Sequence, residues 1–293
     1  MVIVFVLLAL CAIFIASLWM GSKLIEPARA NVVKPGSLPV QDMRIDSASG
    51  AKLAAWLLTP PDAKGNVILM HGKRSNRLDM LQRARFLFDS GYNVLLFDFQ
   101  AHGESEGQHI TFGHLEGMDA ASVAKIMRQR FPNMPLAVIG ISLGGASALL
   151  GLHDHDIDAL VLEAVYTDII SAISNRLRLR FGGIGTWLTP IFTSQLRWRL
   201  GITPDQLNPL GHIAAFHVPM LIIGGAEDQR ATANDMQRLY TTAGSKNKKL
   251  WIIEAAGHED FYQFNPAVYQ QHIGEFLSTL HTLPRSTVKT AGG

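Results

Sequence analysis

Residues 136–146 read Leu-Ala-Val-Ile-Gly-Ile-Ser-Leu-Gly-Gly-Ala, an apolar run followed by a serine between glycines and then by small residues. The apolar run predicts a buried strand and the residues after it predict a helix, so Ser142 lies on the turn between them. Such a turn is sharp and strained, and Gly140 and Gly144 keep it free of side-chain clashes while the hydroxyl projects above the sheet. The segment Gly140-Ile141-Ser142-Leu143-Gly144 is therefore typical of a nucleophile elbow.

The segments on either side of this turn alternate between strand and helix over most of the chain. Apolar and β-branched runs predict an antiparallel pair and six buried parallel strands, at residues 43–47, 53–59, 67–70, 93–99, 136–139, 159–164, 220–224 and 250–254. Helical periodicity predicts helices near residues 78–90, 116–131, 143–152, 232–243 and 266–281. This order predicts an α/β fold, a mostly parallel eight-stranded sheet with helices on both faces and the active site at the carboxyl ends of the strands.

One long insertion interrupts the alternation. About 50 residues separate the strands that end near Ala164 and begin at Met220, far more than a usual connection. We interpret the insertion, about residues 167–215, as a cap over the active site. Within residues 171–201 there are five arginines and no acidic residue: Arg176, Arg178, Arg180, Arg197 and Arg199. Such a cap can bind an anionic membrane surface or steer an anionic acyl substrate, or its arginines can simply face water.

The first residues of the chain are apolar from Met1 to Met20 except for Ser17. About 20 such residues match the hydrocarbon thickness of a bilayer, and they predict a single-pass transmembrane helix at residues 1–22 and thus a membrane localisation. A signal peptide cleaved after Ala30 is the alternative, although the run is long for one and no basic residue precedes it. The excess of basic residues after the run is small, so the side of the membrane on which the catalytic domain lies stays open.

The remaining boundaries follow from proline, glycine and polar residues. Residues 23–41 contain three prolines and a glycine, which interrupt helices, and they predict a linker. The catalytic domain then covers residues 42–283. The short polar stretch 284–293 predicts a disordered tail.

Composition argues against several other classes of protein. The formal net charge is only +2, which does not favour nucleic acid as a partner. Cys11 is the single cysteine, so no intrachain disulfide can form. No dinucleotide fingerprint, Walker loop or zinc-spaced cluster occurs, and we predict neither a cofactor nor a metal. The stretch His153-Asp154-His155-Asp156 alternates two ligand types, but it lies at the amino ends of strands, and we interpret it as a solvated loop.

The order of these motifs resembles that of the α/β-hydrolase superfamily over nearly all of residues 42–281. Met70-His71-Gly72-Lys73-Arg74 is similar to the family's His-Gly loop, and the resemblance implies an oxyanion hole formed by the backbone amides of Lys73 and Leu143. Residues 98–107 look like the family's turn after its fourth strand. The overall resemblance is to capped serine esterases, monoacylglycerol lipases and serine aminopeptidase-like hydrolases, and in this family the His-Gly pairs mainly shape turns.

A serine hydroxyl needs a base and the base needs a carboxylate. His258 follows the last predicted strand and precedes the final helix, which matches the family's histidine loop. Asp228 follows the strand at residues 220–224, so Ser142, Asp228 and His258 occur in the order Ser, Asp, His. Glu227 and Glu163 are the rival carboxylates.

The sequence therefore predicts a membrane-anchored serine hydrolase that cleaves acyl esters or acylglycerols through an acyl-enzyme intermediate. Serine as nucleophile argues against haloalkane dehalogenases and epoxide hydrolases, which resemble this family but need aspartate. A serine peptidase, a thioesterase and a catalytically silent interaction protein are the alternatives. The expected partners are a small acyl ester and the membrane, through residues 1–20 and the basic cap, while the oligomeric state is left open.

Overall fold

The computed structural model describes the backbone of residues 1–281, and the side chains of these residues except Val6, Ala9, Leu10 and His281. The predicted tail at 284–293 lies outside the described residues.

A mixed sheet of eight strands forms the centre of the protein. Its order is β10-β9-β8-β7-β4-β5-β3-β2, where β2 and β3 pair antiparallel, β3 and β5 pair antiparallel, and all other neighbours pair parallel. The strands are β2 Gln41–Asp46, β3 Lys52–Leu58, β4 Gly65–Met70, β5 Tyr92–Phe97, β7 Leu136–Ile141, β8 Ala159–Glu163, β9 Met220–Gly225 and β10 Lys248–Ile253. The mostly parallel eight-stranded α/β sheet predicted from the sequence is therefore confirmed.

Helices follow the parallel strands where the sequence predicts them. They are α2 Leu81–Asp89, α3 His114–Arg130, α4 Leu143–Gly151, α8 Ala233–Thr242 and α10 Pro266–Ser278. The short helix α9, Phe261–Phe264, was not predicted. Helix α2 packs on β5, α4 packs on β7, and α8 packs on β9 and β10. Helices α3 and α4 touch closely because Gly117 and Gly151 face each other, and a Cβ atom on Gly151 would collide with the Gly117 carbonyl.

The predicted cap region contains two helices, α5 Ile169–Phe181 and α6 Thr189–Leu200, followed by the short α7 Pro209–His212. Asp168 caps α5, since its Oδ1 accepts a hydrogen bond from the amide of Ser171 at 2.8 Å. Gly201 ends α6 with φ of +70°, a backbone conformation that favours glycine. Helices α5 and α6 pack against each other.

The chain begins with helix α1, Val2–Ile25, whose C-terminal half packs on α6 of the cap. Arg199 donates to the carbonyl of Leu18 at 2.7 Å and to the hydroxyl of Ser22 at 2.9 Å. Gly21 leaves room for the cap at this contact, because a Cβ atom there would collide with Oε1 of Gln195. Helix α1 is therefore packed onto the cap in this region.

The segment predicted as a linker, residues 23–41, also packs on the catalytic domain. Its two-residue strand β1, Ala28–Arg29, pairs parallel with β6, His102–Gly103. Val32 and Val40 are buried in the hydrophobic core. These contacts were not predicted, because prolines interrupt helices without preventing side-chain burial or strand pairing.

The described side chains in the N-terminal half of α1 are exposed, among them those of Val2, Ile3, Phe5 and Leu8. Phe14 and Trp19, in the C-terminal half, are exposed as well. In the part of the chain that the structure describes, no helix is both long enough and apolar enough to cross a membrane. The transmembrane helix predicted at residues 1–22 is thus unconfirmed and stays a prediction.

Candidate active site

Ser142 lies on the turn between β7 and α4, in a strained backbone conformation. Its φ is +49° and its ψ is −107°, a combination that costs free energy in a residue other than glycine. The flanking glycines are required by sterics, since a Cβ atom on Gly140 would lie 2.5 Å from the amide nitrogen of Gly145 and one on Gly144 would collide with the Met70 carbonyl. The turn has the geometry of a nucleophile elbow.

The His71-Gly72-Lys73 loop lies directly against this elbow. A Cβ atom on Gly72 would lie 4.0 Å from Cβ of Ser142 and 3.9 Å from the carbonyl oxygen of Ile141. Leu143 is the first residue of α4, and amides of a first helical turn have no acceptor within the helix. Lys73 and Leu143 line the same cavity as Ser142. The two predicted oxyanion-hole residues thus both lie beside the serine.

His71 holds the loop in place through both of its ring nitrogens. Nε2 accepts a hydrogen bond from the amide of Phe99 at 3.1 Å, so the proton of the neutral ring is on Nδ1, which donates to the Gly72 carbonyl at 2.7 Å. Burial lowers the pKa of His71 to about 3, with a smaller contribution from His102. The ring is therefore neutral at physiological pH and orients the loop, as predicted for a structural histidine.

Asp228 and His258 form a hydrogen-bonded pair. Nδ1 of His258 lies 2.7 Å from Oδ2 of Asp228. The other carboxylate oxygen, Oδ1, accepts hydrogen bonds from the amides of Arg230 at 2.7 Å and Ala231 at 3.0 Å. Asp228 is buried, and these bonds satisfy a carboxylate that burial would otherwise destabilise. The arrangement fixes the tautomer of His258 with Nε2 available as a base.

The rival carboxylates occupy other positions. Glu227 is exposed. Glu163 is fully buried, and its two oxygens accept hydrogen bonds from Arg83 at 2.9 Å and from the hydroxyl of Tyr269 at 2.5 Å. The structure therefore brings Asp228, and neither rival, to His258.

Sheet topology explains why these residues share one edge of the protein. β7, β9 and β10 run in the same direction, because each neighbouring pair from β7 to β10 is parallel. Ser142 directly follows β7, Asp228 follows β9, and His258 follows β10. All three lie just past the carboxyl ends of parallel strands, where α/β proteins place their sites.

A cleft beside Ser142 contains about 720 Å³ of space, part of which is open to solvent. Its walls come from the His71-Gly72-Lys73 loop, the elbow, both cap helices and the last turns of α1, and they are largely apolar, with residues such as Leu24, Ile173 and Leu196. A largely apolar lining with a few polar groups is typical of a small-molecule site. The contribution of α1, through Gly21, Leu24 and Ile25, was not predicted from the sequence.

The five cap arginines fall into three groups. Arg178, Arg180 and Arg197 are exposed. Arg199 bonds to α1 and also lines the cavity. Arg176 lines the cavity that contains Ser142, so the cap has a positive charge on its inner side as well as on its outer side.

Across the described residues, the structure places no group of three or more His, Cys, Asp or Glu side chains where it could hold a metal ion. In the His153–Asp156 stretch, Oδ1 of Asp154 accepts hydrogen bonds from the amides of His217 and Val218.

Comparison with known proteins agrees with this geometry. The family model of serine aminopeptidase, S33, matches residues 61–198. The uncharacterized protein YqkD of Bacillus subtilis is 28% identical over 242 residues, which are 81% of this chain and 79% of that protein. The α/β hydrolase domain-containing protein WAV2 of Arabidopsis thaliana is 26% identical over 266 residues, 86% of this chain and 81% of that protein.

Solved esterase structures have the same fold. The esterase Pf2001 of Pyrococcus furiosus superimposes with a TM-score of 0.72 and 26% identity, covering 87% of this chain and 98% of that chain. An esterase of Exiguobacterium antarcticum superimposes with a TM-score of 0.60 and 14% identity, covering 81% and 100%. The resemblance to the α/β-hydrolase superfamily is thus confirmed, and fold and comparisons together support a hydrolase.

Proposed function

We propose that the protein is a serine hydrolase that cleaves carboxylic acyl esters through an acyl-enzyme intermediate. The observation that carries this proposal is Ser142 on its strained elbow, at the wall of an apolar cavity and beside the loop that contains Lys73. The Asp228–His258 pair at the same sheet edge supplies the base.

In the proposed reaction, Oγ of Ser142 attacks the ester carbonyl while Nε2 of His258 removes its proton. The backbone amides of Lys73 and Leu143 donate hydrogen bonds to the oxyanion that develops. His258 then gives the proton to the departing alcohol, and a water molecule activated by the same ring releases the acid. Asp228 stabilises the imidazolium form throughout both steps.

The cavity favours an acyl chain as the group that is bound. Burial of a hydrocarbon chain against its apolar walls on α1, α5 and α6 favours binding by about 0.8 kcal/mol for each buried methylene. Peptide substrates of an aminopeptidase carry a cationic amine, and Lys73 and Arg176 in the cavity wall would repel it. These cations favour an ester over the peptidase alternative, although the matched family model is that of a serine aminopeptidase.

The test is hydrolysis of a chain-length series of 4-nitrophenyl esters by the full chain, with Ser142→Ala as the matched inactive variant. We expect kcat/KM to rise with acyl length until the cavity is filled, and Ser142→Ala to lower turnover by several orders of magnitude. Hydrolysis at the same rate by Ser142→Ala would contradict the proposal, and so would a lack of turnover across the whole series.

We also propose that the protein associates with an anionic membrane surface through α1 and the outer face of the cap. Large apolar side chains are exposed on both elements, including Trp19 at 65%, Trp187 at 84% and Trp198 at 60% exposure. Arg178, Arg180 and Arg197 of the cap are exposed as well. Apolar and aromatic residues next to basic ones are the combination that binds anionic lipid interfaces.

Vesicle co-sedimentation tests this association. Each arginine near an anionic leaflet contributes about 1 kcal/mol to the binding free energy. Changing Arg178, Arg180 and Arg197 together to Gln should therefore weaken binding to anionic vesicles by roughly 3 kcal/mol. The same substitutions should leave binding to neutral vesicles unchanged, and added salt should reduce the difference. Equal binding of both proteins to anionic vesicles at low salt would show that the cap arginines face water only.

A further inference from the structure

Two cationic side chains line the cavity that contains Ser142. Lys73 and Arg176 are both wall residues of the cavity that contains Ser142. Nζ of Lys73 lies 4.5 Å from the ring centroid of Phe112, another wall residue, so the ammonium is at the cavity wall and not in bulk water. Arg176 lies on α5, where its Nη1 donates to the Ala172 carbonyl at 3.0 Å.

Neither cation has a carboxylate partner in the described part of the chain, where no salt bridge joins Lys73 or Arg176 to an acidic residue. Two carboxylates attract these cations electrostatically, Glu116 for Lys73 and Asp228 for Arg176, but both already have other hydrogen-bond partners. Glu116 accepts hydrogen bonds from Thr111, Gly113 and Gln100, and Asp228 is hydrogen-bonded to the imidazole of His258.

The two charges also destabilise each other. Burial lowers the pKa of Lys73 to about 7, and the positive charges of Arg176 and Arg74 contribute, while Glu116 acts in the opposite direction. Burial likewise lowers the pKa of Arg176, with a contribution from Arg230. Unpaired cations in an otherwise apolar cavity are costly, and a bound anion would relieve that cost.

We propose that the site selects acyl esters that carry a second, anionic group, a carboxylate or a phosphate, close to the scissile ester bond. The anion would bind Arg176 and Lys73, while the hydrocarbon part of the substrate occupies the apolar remainder of the cavity. Guanidinium and ammonium groups both pair with carboxylate and phosphate oxygens, so the wall itself favours either anion. This inference rests on the proposed esterase function and names its substrate class.

The experiment compares pairs of esters in which one member has the anionic group and the other lacks it. The first pair is the 4-nitrophenyl hemiester of glutaric acid and its methyl-capped diester, and the second is a 1-acylglycerol 3-phosphate and the corresponding 1-acylglycerol. We expect kcat/KM to be at least about tenfold higher for the anionic member of one or both pairs, as expected for a charge-assisted hydrogen bond. The pair with the larger ratio identifies carboxylate or phosphate as the preferred group.

Substitutions of the two cationic wall residues test whether they cause the preference for anionic esters. Arg176→Gln and Lys73→Gln should each reduce the anionic-to-neutral ratio by about tenfold. Arg178→Gln is the matched control for the first pair, because Arg178 lies on the same helix but is exposed, and it should preserve that pair's ratio.

Three outcomes decide the matter. A ratio near one in both pairs for the unchanged protein overturns the inference and leaves the esterase proposal intact. Equal loss of both activities in Arg176→Gln also overturns it, because the cation would then serve the reaction and not the choice of substrate. If nothing is hydrolysed, calorimetric binding of the same esters to Ser142→Ala still decides, since tighter binding of the anionic member supports the inference although the esterase proposal has failed.

Discussion

Arg83 on α2 holds together three segments around the active site, and its loss should be severe. The side chain is 1% exposed. Its Nη2 donates to Glu163 at 2.9 Å and lies 2.7 Å from an oxygen of Asp260, and its Nε donates to Tyr269 at 3.0 Å. Glu163 lies next to Ser142, since the amide of Ser142 donates a hydrogen bond to the Glu163 carbonyl at 2.7 Å. Arg83→Met would leave the fully buried carboxylate of Glu163 without its cation.

The magnitude follows from that burial. Removing one partner of a buried ion pair costs about 3–5 kcal/mol, because the remaining charge is left unpaired in a medium of low polarity. For a domain of this size, each kcal/mol lowers the melting temperature by roughly 2–4 °C, so Arg83→Met should melt roughly 6–20 °C lower. Thermal unfolding followed by circular dichroism measures the shift.

Arg85→Met is the control for this substitution. Arg85 lies on the same helix but is exposed, and its Nη2 donates to the hydroxyl of Ser37 at 2.5 Å. A surface change of this kind should stay within about 0.5 kcal/mol of the unchanged protein. If Arg83→Met melts no lower than Arg85→Met, the ion-pair network does not stabilise the fold as described and the reasoning is wrong.

Three further outcomes are expected. Asp228→Asn should lower kcat for ester hydrolysis by roughly 10⁴, because it favours the wrong histidine tautomer, whereas Glu227→Gln should stay near the unchanged rate; the reverse order would refute the assignment. The anionic-to-neutral ratio of kcat/KM should fall as the pH rises through about 7, because Lys73, with its pKa lowered to about 7, loses its charge above that value, and a flat ratio would exclude its charge from recognition. Removal of residues 1–25 should lower kcat/KM for long acyl esters more than for acetate esters, because α1 forms part of the cavity wall, and an equal loss would contradict that role.

The elbow could be predicted from the sequence because its determinants are local. An apolar strand, a serine between glycines and a helix of small residues all lie within residues 136–151, and the steric need for Gly140 and Gly144 follows from the turn itself. The alternation of strands and helices then predicted the sheet and the edge at which the site lies. The sequence left Glu227 as a rival of Asp228, and the structure adds the 2.7 Å contact between Asp228 and His258.

The role of α1 could not be predicted, because apolar composition alone does not say what covers a helix. Residues 1–20 predicted a membrane span, and the same composition is compatible with a helix whose last turns pack on a cap. The decisive residues are Gly21, which lets Gln195 approach, and Leu18 and Ser22, which bond to Arg199. These partners lie more than 170 positions apart in the chain, beyond the reach of local patterns.

The buried ionic groups were missed for the same reason. Arg83 reads as an ordinary helix-surface residue, and only its contacts with Glu163, 80 positions away, and Tyr269, 186 positions away, show that it is buried. Lys73 was predicted for its backbone amide, whereas the place of its ammonium in the cavity depends on how the cap folds over the loop. The burial of Arg83 and the position of the Lys73 ammonium can therefore be seen only in the tertiary structure.

The central claim is that Ser142 is the covalent nucleophile, and labelling with a fluorophosphonate tests it most directly. The measurement is the intact mass of the full chain after reaction, followed by identification of the modified peptide, with Ser142→Ala treated in parallel. We expect one adduct, located on Ser142, and no adduct on the folded Ser142→Ala protein. An adduct that persists in Ser142→Ala, or an unchanged protein that does not react, would contradict it.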